Sequence, residues 1–339
     1  MNIYNLLEQF NIKNMDFNGN KKHSYNIFNK HHMSLMEEIY NNMLSTGKLI
    51  KNDYIILNDN INSERIKVKN SEDLKKIVKI YSGKKFKNGS LNWLDVSGIT
   101  DMTGIFQYTD FNGDISEWDV SNVQCMKNMF KNAMFNNDIS GWNVSNVTDM
   151  EQMFCNSRYE GELTEWNVSN VKTMKYMFSG SPFNNNISRW NVSNVKTMEG
   201  MFNHTLFNGD ISEWDVSNVE NMANMFSWSN FNRSIAKWDV SSVKRMDAMF
   251  MSSKFNSNIS QWDVSNVTNM NGMFAYSLFT KSISKWNVSN VRKMSWIFIY
   301  SKFNNDISQW DISNVKDDYD DIFYNCIIKK EYLPKHITK

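Results

Sequence analysis

Cysteine is scarce, three in 339 residues, and its placement excludes more than its number does. Cys125, Cys155 and Cys326 fit neither a disulfide framework nor a zinc-ligand spacing. Histidine is scarce too. His23, His31 and His32 lie near one another in sequence, but no carboxylate or further histidine completes a ligand set at helical spacing, and a metal needs three or four ordered ligands. A solvated surface cluster is expected there, and neither metal nor cofactor is expected anywhere. No apolar run approaches the roughly 18 residues that would read as a membrane span. Residues Met1 to Glu8 lack the basic start and apolar stretch of a secretory signal, so that export route is not expected. The compartment stays open between the cytoplasm and another route outward. No charge sign dominates: 37 Lys and Arg stand against 36 Asp and Glu. Residues 1–90 carry 15 against 9, and residues 91–339 carry 22 against 27. A head at +6 on a body at −5 is too weak a contrast to imply nucleic acid.

What the sequence does have is repetition. Val96, Val120, Val144, Val168, Val192, Val216, Val240, Val264, Val288 and Ile312 stand 24 residues apart without a slip. Self-similarity at this period is the mark of a solenoid, propeller or array, in which each unit buries its apolar face against its neighbours. One full unit runs Phe111-Asn112, Ile115-Ser116, Trp118, Val120, Val123, Met126 and Met129-Phe130. By two-residue alternation Trp118 and Val120 point inward and Glu117, Asp119 and Ser121 outward. Met126, Met129 and Phe130 then follow at helical spacing. The reading is an α/β solenoid: a leucine-rich-repeat-like stack of ten 24-residue coils, each one short strand plus a short helical turn, capped at both ends.

The divisions follow from where the repeat weakens. Residues 1–62 lie outside it and form a small head, with a helical stripe over Met33 to Leu44 and a strand over Tyr54 to Leu57. Residues 63–106 form the N-terminal cap: a strand at Arg65 to Val68, a helix opened by Asn70 or Ser71 and stopped by Gly83, and a degenerate first coil with Leu94 in the tryptophan slot. Residues 107–316 are the solenoid. Residues 317–339 form the C-terminal cap, where Asp317, Asp318, Asp320 and Asp321 put charge where another coil would stack.

Most repeated residues have a packing role. Ten tryptophans, Trp93 through Trp310, are expected to stack inside. Each buries about 150–250 Å², a gross gain of roughly 4–6 kcal/mol at about 25 cal/mol per Å². The methionine ladder from Met102 to Met294 has the soft sulfur that copper(I) selects, yet no histidine or cysteine accompanies it, so it reads as core. The recurrent Ser and Asn of the turns are expected to bond the backbone of adjacent coils. For the same reason the Asn-Val-Ser and Asn-Val-Thr runs at Asn143, Asn167, Asn146 and Asn266 weigh little as glycosylation sites. The column following Trp (Asp215, Asp239, Asp263) is expected to accept turn amides, with a calcium site as the alternative. The column preceding Trp alternates in sign from Glu165 to Lys237 and is expected to form a salt-bridge ladder of little energetic weight.

The unit Phe-Asn-x-x-Ile-Ser-x-Trp-Asp/Asn-Val-Ser-Asn-Val-x-x-Met-x-x-Met-Phe resembles that of the BspA-like leucine-rich repeat surface protein family, over about residues 64–334. That family's repeats occur in Mycoplasma-type lipoproteins, other bacteria and some large DNA viruses. The resemblance implies a surface location and a role in adhesion or host-protein binding.

Function is therefore expected to be non-enzymatic: a protein-binding scaffold with a protein partner, host-derived by the resemblance. Two alternatives stay open, a structural or self-associating spacer and a targeting arm for an effector activity in residues 1–62. No nucleophile–base pair, phosphate loop or carboxylate dyad stands out in that head. The candidate binding residues are large aromatics in two variable columns around the helical turn, where other coils have Asn, Gly or Ser: Tyr108, Tyr176, Trp228, Tyr276, Trp296 and Tyr300. Trp296 and Tyr300 are four apart and would be neighbours on a helix. Large aromatics outside core columns are what interface hot spots use.

Overall fold

The computed structural model describes residues 65–82, 88–316 and 322–335. The head over 1–62, with its expected helix, strand and three histidines, lies outside the described residues, as do Gly83 and the acidic run 317–321.

The N-terminal cap forms as its residues dictate. Strand β1 (Ile66–Lys67) pairs in parallel with β2 (Leu94–Asp95) of the degenerate coil. Between them α1 (Ser71–Tyr81) opens on Asn70, whose side chain accepts the Asp73 amide at 2.9 Å. Leu74, Ile77, Val78 and Tyr81 are buried, so the apolar stripe of α1 covers the first coil's open end. Arg65 reaches across to Glu117 at 2.6 Å and ties the cap to the next coil.

From Asp101 onward the chain is a stack of coils in one continuous core. Its register is uniform: parallel bridges join Asp101 to Cys125, Cys125 to Asp149, and so on to Lys293. The expected strand and helical turn of each coil are not what forms. Among the described residues the coils contain only turns and these single bridges. In the supposed strand, Trp118 N–H donates to Ile115 O at 3.2 Å and Val123 N–H to Val120 O at 2.9 Å, each closing a β-turn. In the supposed helix, Met129 closes on Met126 and Ala133 on Phe130, both at 3.1 Å. Alternate amides leave the coil altogether. Met126, Asn128, Phe130 and Asn132 donate to Asp149, Glu151, Met153 and Cys155 of the next coil. An α-helix would spend these amides within itself. Apolar residues three apart suit a β-turn closed over a core as well as a helix face, which is why spacing alone pointed to the wrong element.

The core follows the columns. Nine tryptophans from Trp118 to Trp310 are 3–4 % exposed. Each indole also donates to a carbonyl of the preceding coil, as Trp142 does to Ile115 O at 3.1 Å and Trp214 to Ile187 O at 3.1 Å. Volume and a hydrogen bond are thus supplied by one side chain. Trp93 departs from the expected stack. It is half-buried, donates to Ser90 O at 3.0 Å and packs against Tyr81 of α1 at 6.0 Å. The phenylalanines at Phe130 and its equivalents stack along the axis at 5.1 to 6.0 Å. Met102 to Met294 are fully buried beside them.

Polar ladders satisfy the turns. Asn146 Nδ2 donates to Ser121 O at 2.7 Å, and the same bond recurs up to Asn314 and Ser289. Asp215, Asp239 and Asp263 accept the amides of Ser217, Ser241 and Ser265 at 3.0–3.1 Å, so the column after Trp is occupied with backbone bonding. The Ser121 and Ser241 hydroxyls and amides hold the Asp119 and Asp239 carboxyls below the usual range. Of the expected salt-bridge ladder, Lys237 pairs with Glu213 at 2.6 Å, while Glu165 and Arg189 join no ion pair among the described residues. Residues 322–335 continue the stack as a cap, with Ile322 buried and Ile307 N–H donating to Tyr332 O at 3.0 Å.

Candidate functional site: an aromatic edge on left-handed backbone

Two positions in every coil have positive φ. One column runs Gly104, Asn128, Gln152, Tyr176, Gly200, Asn224, Ala248, Gly272, Trp296. The other runs Tyr108, Asn132, Asn156, Gly180, His204, Trp228, Ser252, Tyr276, Tyr300. Both sit at the third position of a β-turn, where a type II turn places a left-handed residue. Their amides donate to the next coil, as Trp228 does to Met251 O at 2.8 Å and Tyr276 to Ile299 O at 2.7 Å. The stack therefore imposes the conformation whatever the side chain.

All six candidate aromatics occupy these columns, with φ between 50° and 59°. This explains the Asn, Gly and Ser found in other coils: left-handed backbone favours Gly and Asn and is an outlier for bulky residues. It also corrects the expectation for Trp296 and Tyr300. They are not neighbours on a helix but members of separate columns, and no ring contact joins them among the described residues.

The six are not brought together as one site. Tyr108 is 70 % exposed but stands in the first coil, five coils from Trp228. Tyr176 is half-buried and committed to its own fold. Its ring lies where a Cβ at Gly200 would have to go, and its hydroxyl donates to Glu199 at 3.2 Å. Burial and the nearby Glu199 carboxylate push this phenol up to about 12. The remaining four, Trp228, Tyr276, Trp296 and Tyr300, are 49–56 % exposed and fall within four consecutive coils. Tyr276 stacks on Tyr300 at 5.1 Å and 27°.

Three residues outside the original set belong to this edge. His204 stacks on Trp228 at 5.3 Å and 6°. Leu206 and Leu278, each two residues beyond the second column, are 62 % and 44 % exposed. The signal for them in sequence was weak: of the seven other coils five carry Asp, Asn, Lys or Arg at this position, but two carry Met134, itself exposed, and Pro182. Lys254 and Lys302 are in that same position, exposed, with no ion pair among the described residues. No group of three or more His, Cys, Asp or Glu poised for a metal occurs among the described residues. No helix of the described residues is long and apolar enough to cross a membrane.

A turn-built repeat solenoid with an aromatic edge is the class this geometry defines. The family described as "Mycoplasma protein of unknown function, DUF285" matches residues 72–182, 156–254 and 227–335, and the chain belongs to it. No curated protein and no solved structure matches the chain.

Proposed function

We propose that this protein is a non-enzymatic binding scaffold whose protein partner docks along the edge carrying Trp228, Tyr276, Trp296 and Tyr300. One observation carries the reading: large exposed aromatics stand on left-handed backbone that Gly or Asn would occupy with less strain. A bulky residue there costs roughly 1–2 kcal/mol, and exposure returns little of it. Trp228, Tyr276 and Tyr300 recover part of it in ring stacks, and the Tyr300 hydroxyl accepts from Asn325 Nδ2 at 2.8 Å. Trp296 joins no ring pair among the described residues, and strain retained there points to a role outside folding. Aromatics in such a cluster are the anchors interfaces use. The resemblance of the repeat to BspA-like leucine-rich repeats supports adhesion to a host protein as the setting.

Replacing Trp228, Tyr276, Trp296 and Tyr300 together by Asn tests this, because Asn already fills the same columns at Asn128, Asn132 and Asn224. The variant is expected to melt like the wild type and to lose the proteins that the wild type captures from host surface extracts. Equal capture by both would sink the reading. A second reading, self-association, is favoured by charge. Residues 91–243 hold 9 Lys and Arg against 18 Asp and Glu, whereas 244–302 hold 8 against 2. Light scattering at low and high salt checks whether copies pair through these unlike ends.

A further inference from the structure

We infer that the edge has one vacant rung, at the coil of Ala248 and Ser252, and that it receives an aromatic side chain of an acidic peptide segment. The inference rests on the protein-binding reading and names the chemistry of that partner.

In both left-handed columns the side chains lean toward the next coil. The Tyr176 ring lies over Gly200, and the Asn156 amide lies over Gly180. Stacked this way, His204 covers Trp228 and Tyr276 covers Tyr300. The coil of Ala248 and Ser252 is the one among the nine in which neither column holds anything larger than serine. Two consequences follow. The layer between the Trp228 and Tyr276 rings is unfilled, and in the neighbouring column Ala248 leaves Gly272 uncovered. A Cβ built on Gly272 would meet only the Ala275 Cβ, at 3.8 Å. The notch is thus floored by Ala248, Ser252 and Gly272, with Trp228 and Tyr276 as its walls and Trp296 beyond.

Its size fits a ring. Trp228 and Tyr276 are two coils apart, about 10 Å at the ~4.8 Å spacing of adjacent chains. A planar group halfway between would lie about 5 Å from each, inside the 4.5–7 Å range of favourable aromatic pairs. The existing rungs, at 5.3 and 5.1 Å, are of that size.

Charge decides which planar group. The notch lies in the stretch with 8 Lys and Arg against 2 Asp and Glu, in a body that is otherwise acidic. Two of those cations are already paired, Lys244 with Glu220 at 2.6 Å and Arg245 with Asp247 at 2.9 Å, while Lys254 and Lys302 beside the second column are exposed with no ion pair among the described residues. This surrounding repels a guanidinium and attracts carboxylates beside the inserted ring. Leu206 and Leu278 give the edge apolar ground for a peptide's other side chains, which a nucleotide would not use.

The test is selection of a random peptide library on the intact chain, followed by binding to three variants. Ser252→Trp fills the rung from within, and Trp228 shows that the column accepts this residue at φ 55°. Lys254→Glu with Lys302→Glu reverses charge without touching the walls, and Ser252→Ala is the control. Thermal melts show whether each variant is folded. Selected peptides are expected to place Trp, Tyr or Phe beside Asp or Glu. They should bind Ser252→Trp and the charge-reversed variant at least tenfold more weakly, and Ser252→Ala equally well. Peptides that lack this pair, or that bind folded Ser252→Trp undiminished, overturn the inference while leaving a binding scaffold. If Ser252→Trp does not fold, the charge-reversed variant decides, and undiminished binding to it overturns the inference. A library that yields no binder overturns both. A concentration-dependent dimer abolished by Ser252→Trp assigns the notch to a second copy and overturns the acidic-peptide assignment.

Discussion

Each position of the 24-residue unit answers a separate demand, and tryptophan answers two. Trp214 is 3 % exposed and donates to Ile187 O at 3.1 Å, so truncation leaves both a cavity and an unpaired buried carbonyl. Trp214→Ala is expected to lose about 3–5 kcal/mol in urea melts. Glu213→Gln, on the exposed pair with Lys237, should lose under about 1 kcal/mol. Equal losses would overturn the inward assignment. The left-handed columns predict the opposite sign. Trp296→Gly relieves roughly 1–2 kcal/mol of backbone strain against about 0.5–1 kcal/mol of added chain entropy. It should therefore melt at or above the wild-type temperature. A drop exceeding about 1 kcal/mol would make the Trp296 ring structural.

The coil is the element, and it is held by side chains that imitate backbone. At one corner Asp119 accepts the Ser121 amide at 3.0 Å, at another Asp114 accepts the Ser116 amide at 2.9 Å, and at a third Asp149 accepts the Glu151 amide at 2.8 Å. The Asp119 and Asp239 carboxyls are lowered chiefly by the serine hydroxyl, and Asp114, Asp138 and Asp210 chiefly by the serine amide. A pKa lower in the folded than in the unfolded chain gives stability that is complete above the unfolded value of about 3.9 and is lost as pH falls from there through the lower folded value. The melting temperature should thus be level with respect to these groups from about pH 5 to 8 and decline below about pH 4. Asp239→Asn should match the wild type within about 0.5 kcal/mol at pH 7 and decline less steeply in acid. Asn191 and Asn287 already make the same bond, at 3.1 and 3.2 Å. An unchanged acid limb in this variant would remove the carboxylate from the account.

At the scale of the whole molecule, stability is set by neighbours, because every coil bonds and packs only with the coils on either side. Deleting residues 185–208 removes one period and leaves all later columns in register. That variant should fold cooperatively, with a denaturant slope lower by roughly one-tenth as less surface is exposed on unfolding. Deleting one residue fewer leaves a single coil of 25 residues at the junction, out of register with one neighbour only, and that variant should fold but unfold at a lower urea concentration than the 24-residue deletion. Size-exclusion chromatography and urea melts distinguish the two.

The period, the inward columns, the α1 cap and the polar ladders were legible in the sequence, because each is a property of one column read against its own copies. Val96 and Trp118 recur every 24 residues, and Leu74, Ile77, Val78 and Tyr81 recur at helical spacing in a stretch with a capping Asn70. The form of the coil was not legible. Met126 and Met129 stand three apart whether a helix carries them or a β-turn closes over them, and only the hydrogen-bond partner separates the cases. Asn128 N–H finds Glu151 of the next coil at 2.8 Å, a bond that exists only once coils are stacked. The same stacking decides which aromatics are available. Tyr176 and Trp228 look equivalent as letters in variable columns, but Gly200 beneath one ring lets it lie down and bond Glu199. Trp228 meets His204 on one side and the short Ser252 on the other, and it stays exposed. The composition of each column is local information, whereas the lean of a side chain onto the next coil belongs to the assembled stack.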